Sequence, residues 1–268
     1  MTIMERLIEH YNEALEYFPK DNIVGIFVQG SQNYNLDLPT SDLDTKLIVT
    51  PTLSDIVLNK KPVSTTHVRA NDEHIDFKDV RLYMETFRKQ NLNFLEILFT
   101  DYVIINPLYE AEWNRLVAAR ENIARMNPMR AVKSMKGVAL EKFHALKHPY
   151  PSKLDILAKY GYDPKQLHHL LRVEKYLIDY ILGELSYKEC LTPTGDFRKF
   201  LLDVKTGKYN LERAEEMANS SVENVEKIEQ VFVKYAPDKE CQENPEMRAL
   251  LEDVQTNIMK ISIKKELM

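Results

Sequence analysis

The chain has 268 residues, 44% hydrophobic and 29% charged, enough apolar material for a packed core and against wholesale disorder. At that length one large domain or two modest ones are expected. Its 36 basic and 41 acidic residues leave a net charge of −5, which excludes binding of nucleic acid by bulk charge but not a local basic groove. Residues 1–17 read as a helix, because Leu7, Ile8, Tyr11, Leu15 and Phe18 recur at helical spacing. Residues 22–29 are a β-branched apolar run that ends at Gly30-Ser31, a buried strand followed by a turn. A polar stretch then closes on Pro39-Thr40-Ser41, where Ser41 reads as a turn cap and Asp37 as a loop residue. A second strand covers 43–49 and stops at Pro51. A third covers 73–78, with Ile75 and Phe77 on one face and Asp76 and Lys78 on the other.

From residue 84 helical patterns take over, at 87–98, 107–124, 128–146, 164–182, 211–235 and 245–260. The expected fold is therefore mixed α/β (α+β). A small mixed-sheet domain over 1–105 precedes a helical domain over 106–268. Cys190 and Cys241 lie far apart and form no metal-ligand pair or disulfide framework. With no signal-peptide pattern and no apolar run of about 18 residues, a cytoplasmic protein with no membrane partner is expected. GxGxxG and GxxxxGK[ST] are both absent.

The chemistry concentrates between Gly30 and Asp44. Asp42 and Asp44, two positions apart at the second strand, project to one side. Two carboxylates aimed at one point repel unless a cation lies between them, so Asp-Leu-Asp is a Mg²⁺ cradle with room for phosphate oxygens. Asp76 on a neighbouring strand would complete a two-metal site. Asp72, Glu73 and Asp79 lie close by, and Asp76 is preferred for its apolar flanks. Gly30-Ser31 at the strand end offers backbone N–H groups and a hydroxyl to phosphate.

Gly30-Ser31, ten residues, Asp42-Leu43-Asp44 and a later strand Asp76 resemble the DNA polymerase β-like nucleotidyltransferase superfamily. A narrower resemblance adds Asn91-Leu-Asn-Phe-Leu-Glu96, Lys136-Gly137-Val138-Ala139 and the segment from Gly161 to Arg172. It is to a bacterial and phage branch of predicted nucleotidyltransferases associated with RNA repair. The resemblance implies a polymerase β-like nucleotidyltransferase domain. It also implies transfer of a nucleoside monophosphate from an NTP (ATP included) or dNTP to an acceptor hydroxyl, with release of pyrophosphate. Two Mg²⁺ ions, with Mn²⁺ able to substitute, would rest on Asp42, Asp44 and Asp76. Gly30 and Ser31 would hold the β and γ phosphates, and an RNA or tRNA end would be an acceptor. A protein side chain or a small molecule remain alternative acceptors, and a catalytically silent nucleotide-binding module is the reading outside enzymes.

Two basic segments complete the expected site. On 164–182, Lys165, His169, Arg172 and Tyr176 fall opposite a stripe of Leu167, Leu170, Leu171, Leu177, Ile178 and Ile181. That polar side reads either as a solvated face or as a phosphate-binding stripe, and the resemblance at Lys165, His169 and Arg172 favours phosphate. Glu174 sits on the apolar side without explanation. Arg130, Lys133 and Lys136 read equally as surface charge or as phosphate binding, and Lys136 is preferred for the latter because the small Gly137 and Ala139 would let another backbone approach. Tyr34 and Asn35 read equally as pocket lining or as packing, and Asn91 and Glu96 equally as functional or structural.

Overall fold

Five strands form one mixed sheet in the computed structural model, which describes residues 1–236 and 242–268. They are β1 (Ile23–Gln29), β2 (Asp44–Val49), β3 (Ser64–Val68), β4 (His74–Asp79) and β5 (Val103–Ile105), in the order β3-β4-β2-β1-β5. β2 and β4 run parallel, and the other neighbours are antiparallel. The helices are α1 (Ile3–Ala14), α2 (Leu53–Val57), α3 (Val80–Arg88), α4 (Leu92–Leu95), α5 (Glu110–Ala118), α6 (Arg120–Ala124), α7 (Pro128–Ala145), α8 (Leu154–Tyr160), α9 (Pro164–Leu182), α10 (Tyr187–Leu191), α11 (Gly195–Lys205), α12 (Leu211–Tyr235) and α13 (Pro245–Glu266). This is the mixed α/β class expected, a sheet unit followed by helices. No described helix is long and apolar enough to cross a membrane.

Both faces of the sheet carry buried apolar residues. Ile26, Val28, Leu47, Val49, Ile75 and Phe77 pack with Leu7 and Ala14 of α1 on one side. On the other, the Phe27 ring lies 4.4 Å from Trp113 of α5. Thr50 at the end of β2 hydrogen-bonds Ser262 of α13 at 2.7 Å. Gly25 is where β5 comes closest, since a Cβ there would stand 2.7 Å from Ile105 Cδ1 and 3.0 Å from the Ile104 carbonyl.

The chain forms two compact units, Met1–Asn127 with Glu243–Met268, and Pro128–Gln242. The division differs from the expected 1–105 and 106–268 in two ways. α5 and α6 belong to the sheet unit, and so does α13, which runs to 266 rather than 260. Leu251, Val254 and Ile258 of α13 are fully buried, its Asp253 pairs with Arg115 of α5 at 2.7 Å, and Glu266 accepts from the Leu53 N–H. Helical periodicity marks which face is buried but not what buries it.

The expected helix 87–98 is also broken. α3 ends at Arg88, Gln90 takes a left-handed φ of 54°, and Asn91 caps a new short helix by accepting from the Asn93 N–H. The Gln90 amide donates to the carbonyls of Phe87 and Ile123, which stabilises the break. Cys190 is a buried thiol, and Cys241 lies outside the described residues.

Candidate active site

Strand register builds the site from two rows. Across β1, β2, β4 and β3 the first row reads Phe27, Lys46, Asp76, Thr66. Two residues along each strand, towards the end of β1, lie Gln29, Asp44, His74 and Val68. Because side chains alternate with period two, Gln29, Asp44, Lys46, His74, Asp76 and Lys78 share one face. The contacts agree. The Gln29 amide reaches over β2 to Asp76 Oδ2 at 3.3 Å, and the backbone and ring nitrogens of His74 both lie 3.0 Å from Asp44 Oδ1. Asp42 is exposed in the segment leading into β2.

Asp76 is the most engaged carboxylate of the three. Thr66 donates to its Oδ1 at 2.6 Å, and Lys46 Nζ stands 3.5 Å from its Oδ2, the oxygen that Gln29 also reaches. The Lys46 side chain is 4% exposed, with its ammonium 4.3 Å above the Phe94 ring; Lys78 Nζ lies 4.8 Å above the same ring. Burial pushes the Lys46 ammonium below the usual lysine value against the pull of Asp76. Tyr83 is fully buried on α3; burial, reinforced by the Asp76 charge, pushes its phenol well above the usual tyrosine value.

The turn after β1 is built to stay open. Gly30 has φ +84°, and nothing lies within 4 Å of the place a Cβ would take. Ser31 starts a one-turn 3₁₀ helix, which Asn35 closes in a left-handed conformation. Asn33 fixes it by donating to the Val28 carbonyl at 2.7 Å, while Gln32 donates to the Asp42 carbonyl at 2.7 Å. Tyr34 is buried, which decides for packing. Ser41 accepts from the Leu38 N–H at 2.8 Å and is the turn cap expected.

Beneath the Asp42–Asp44 segment lies a charge network that the sequence reading missed. Glu73 is 4% exposed and accepts from Arg6, from Arg69 at 2.7 Å, and from the backbone N–H of Leu43 at 3.1 Å; His10 Nε2 lies 2.9 Å from it. His10 Nδ1 lies 3.0 Å from Thr45 Oγ1, and Arg6 also donates to the Ser41 carbonyl. Burial alone would raise the Glu73 carboxyl, but its donors hold it down to about 2. Of the carboxylates near Asp76, Glu73 thus points under α1, Asp79 caps α3 and pairs with Arg81, and Asp72 sits in a left-handed turn.

The basic residues of the second unit are arranged differently from the expected stripe. α9 is packed by α7, α10, α11 and α12, so its polar side is solvated only at the start: Lys165 is exposed and His169 half-buried, while Arg172 and Tyr176 are buried. Loss of hydration, with the charges of Arg172, Lys142 and Lys165, holds His169 well below the usual histidine value. Lys136 is paired with Glu229 of α12 at 3.2 Å, and a Cβ on Gly137 would meet open space rather than an approaching backbone. Glu174 accepts from Asn224 of α12 at 2.8 Å, which accounts for its place on the packed side.

The cation that the resemblance implies can be tested against these donors. Mg²⁺ commonly rests on one or two carboxylates, keeping its other positions for water and phosphate. Asp42 and the half-open Asp44 fit that role. Asp76 fits a third-ligand role less well, because the Lys46 ammonium stands against its Oδ2, beside Gln29, while Thr66 donates to its Oδ1. Among the described residues no three His, Cys, Asp or Glu side chains are spaced to hold one ion.

No family model matches the chain, and no curated protein does. Among solved structures, a nucleotidyltransferase-like protein from Exiguobacterium sibiricum aligns with 86% of this chain and 76% of its own, at 11% identity and a TM-score of 0.33. A likeness that loose carries neither fold nor chemistry across, so the reading of this chain rests on its own side chains.

Proposed function

We propose that the protein is a nucleotidyltransferase, moving a nucleoside monophosphate from an NTP or dNTP to an acceptor hydroxyl. The observation that carries the reading is the pair of register rows, which set Asp44 and Asp76 on one sheet face beside the open turn at Gly30. A divalent cation bound at Asp42 and Asp44 would draw charge from the phosphates and acidify the attacking hydroxyl. The acceptor oxygen attacks the α-phosphorus, the bond to the β-phosphate oxygen breaks, and pyrophosphate leaves. Asp76 accepts the acceptor's proton. Gly30 and Ser31 bring backbone to the β and γ phosphates, since a residue without a Cβ leaves room there. On the second unit, the exposed Lys165 offers positive charge to phosphate, whereas His169, held well below the usual histidine value, the buried Arg172 and the Glu229-paired Lys136 do not.

The experiment uses purified protein with each α-labelled NTP and Mg²⁺ or Mn²⁺. It is run with total RNA, with a tRNA or RNA end, with protein substrates, with hydroxylated small molecules and with no acceptor, beside an Asp42→Ala/Asp44→Ala double variant. Label reaching an acceptor with the wild type only is the expected result, and its destination names the acceptor class. No transfer and no metal-dependent nucleotide binding would reduce the sheet unit to a scaffold.

A further inference from the structure

We propose that Lys46 takes the place of a second divalent cation, so that the centre works with one metal ion on Asp42 and Asp44 and one fixed ammonium against Asp76. The proposal rests on the nucleotidyltransferase reading and specifies its charge inventory. Three observations carry it. Asp76 already accepts from Thr66 on Oδ1 and faces Gln29 and the Lys46 ammonium on Oδ2, so a second ion there would compete with a fixed positive charge. Lys46 is also pinned. Its side chain is 4% exposed and its ammonium stacks 4.3 Å from the Phe94 ring, so it lacks the freedom of a surface lysine to swing aside when a metal arrives. Lys78 adds a second ammonium over the same ring, 4.8 Å from its centre, and a dication beside two ammonium groups would meet like-charge repulsion.

The arrangement has a chemical rationale. In a two-metal site both ions neutralise charge, and one also activates the attacking oxygen. A buried ammonium supplies fixed positive charge without needing a metal, as lysines do in other phosphoryl transfers. The sequence carries the same hint: β2 reads Asp-Thr-Lys-Leu-Ile-Val, and a lysine two residues beyond Asp44 stands on the Asp44 face.

The test counts Mn²⁺ per bound nucleotide on the full-length protein. Electron paramagnetic resonance and equilibrium dialysis would be used with each of the four α,β-methylene NTP analogues. One Mn²⁺ per nucleotide is expected, without the broadening of two ions about 4 Å apart. Asp76→Asn should leave that count at one and change Mn²⁺ affinity less than 3-fold. Lys46→Met should raise the count to two, and Lys46→Arg should hold it at one. Two Mn²⁺ on the wild type, a loss of more than 10-fold in affinity with Asp76→Asn, or a count that stays at one in a folded Lys46→Met protein would overturn the proposal while leaving nucleotidyl transfer standing. If Lys46→Met does not fold, the wild-type and Asp76→Asn counts decide alone. No Mn²⁺ and no nucleotide bound would overturn both readings.

Discussion

Glu73 should be the residue on which the stability of the sheet unit depends most sharply, and its effect should vary with pH in a defined way. It is 4% exposed, and its carboxylate is shared by Arg6, Arg69, His10 and the Leu43 N–H. These donors hold its carboxyl at about 2, below the 4.5 usual for a glutamate. At about 1.36 kcal/mol per unit, the ionised form contributes about 3 kcal/mol at neutral pH. The sign follows from the depressed value. The contribution is complete above about pH 4.5 and is lost as pH falls towards 2, shrinking to about 1.4 kcal/mol at pH 3. Glu73→Gln removes the charge and keeps the shape; it takes the carboxylate from Arg6 and His10, while Arg69 keeps Glu13 at 2.7 Å. The penalty expected for breaking a buried pair is about 3–5 kcal/mol, in agreement with the linkage figure. Urea denaturation of wild type and variant at pH 7, 5, 4 and 3, followed by Trp113 fluorescence, measures the gap directly. A gap below about 1 kcal/mol at pH 7, or one that does not narrow on acidification, would refute the network's role.

Three other substitutions or titrations probe separate features. Gly25→Ala should cost about 1–3 kcal/mol through a clash with β5, since the new Cβ would meet Ile105 Cδ1 at 2.7 Å; a melting temperature unchanged within 1 °C would contradict that packing. Gly30→Ala meets no neighbour but must hold φ +84°, so about 1–2 kcal/mol of backbone strain is expected, read by thermal melting. His168 is 2% exposed with Nδ1 2.9 Å from the Leu201 carbonyl, and burial pushes it down to about 3. Nitrogen NMR should therefore find it neutral, protonated on Nδ1, at pH 5. Stability carried by the neutral ring is present above about pH 6.5 and is lost as pH falls towards 3, and a midpoint near 6.5 in the folded protein would sink the assignment.

The sequence was most legible where a pattern is local. α9 and α12 cover 164–182 and 211–235 as the helical pattern placed them, and the alternation at Ile75-Asp76-Phe77-Lys78 names the faces that β4 presents. The two strands it hid are the sheet edges. β3 is polar, largely exposed Ser-Thr-Thr-His-Val, and β5 has three residues, so neither leaves a hydrophobic period to detect. Arg172 misled for another reason. Periodicity put it opposite the leucine stripe, but α7, α10, α11 and α12 all pack on this helix, and a long cation can be buried among them. Glu73, Arg6 and His10 come from α1 and the approach to β4, so the network that joins them follows from the tertiary fold and from no spacing along the chain.

β2 links the two halves of this reasoning, because its alternation sorts support from chemistry. Leu43 and Thr45 face α1, where the Leu43 N–H is held by Glu73 and the Thr45 hydroxyl by His10. Asp44 and Lys46 face the other way, one beside His74 and the other against Asp76. Every carboxylate proposed for chemistry is therefore one residue from a group anchored on the opposite side of the sheet: Asp42 and Asp44 from Leu43, and Asp76 from the buried Ile75 and Phe77. That proximity makes a testable distinction between support and reaction. Glu73→Gln should loosen the Asp42–Asp44 segment and weaken Mn²⁺ binding together with stability, since it acts through the backbone. Lys46→Met should alter the number of bound ions while leaving the segment's backbone order, read by amide hydrogen exchange of Leu43 and Thr45, as it is in the wild type. If both variants loosened those amides equally, the two faces of β2 would not be separable, and Lys46 would have to be counted among the groups that hold the strand rather than those that meet the phosphates.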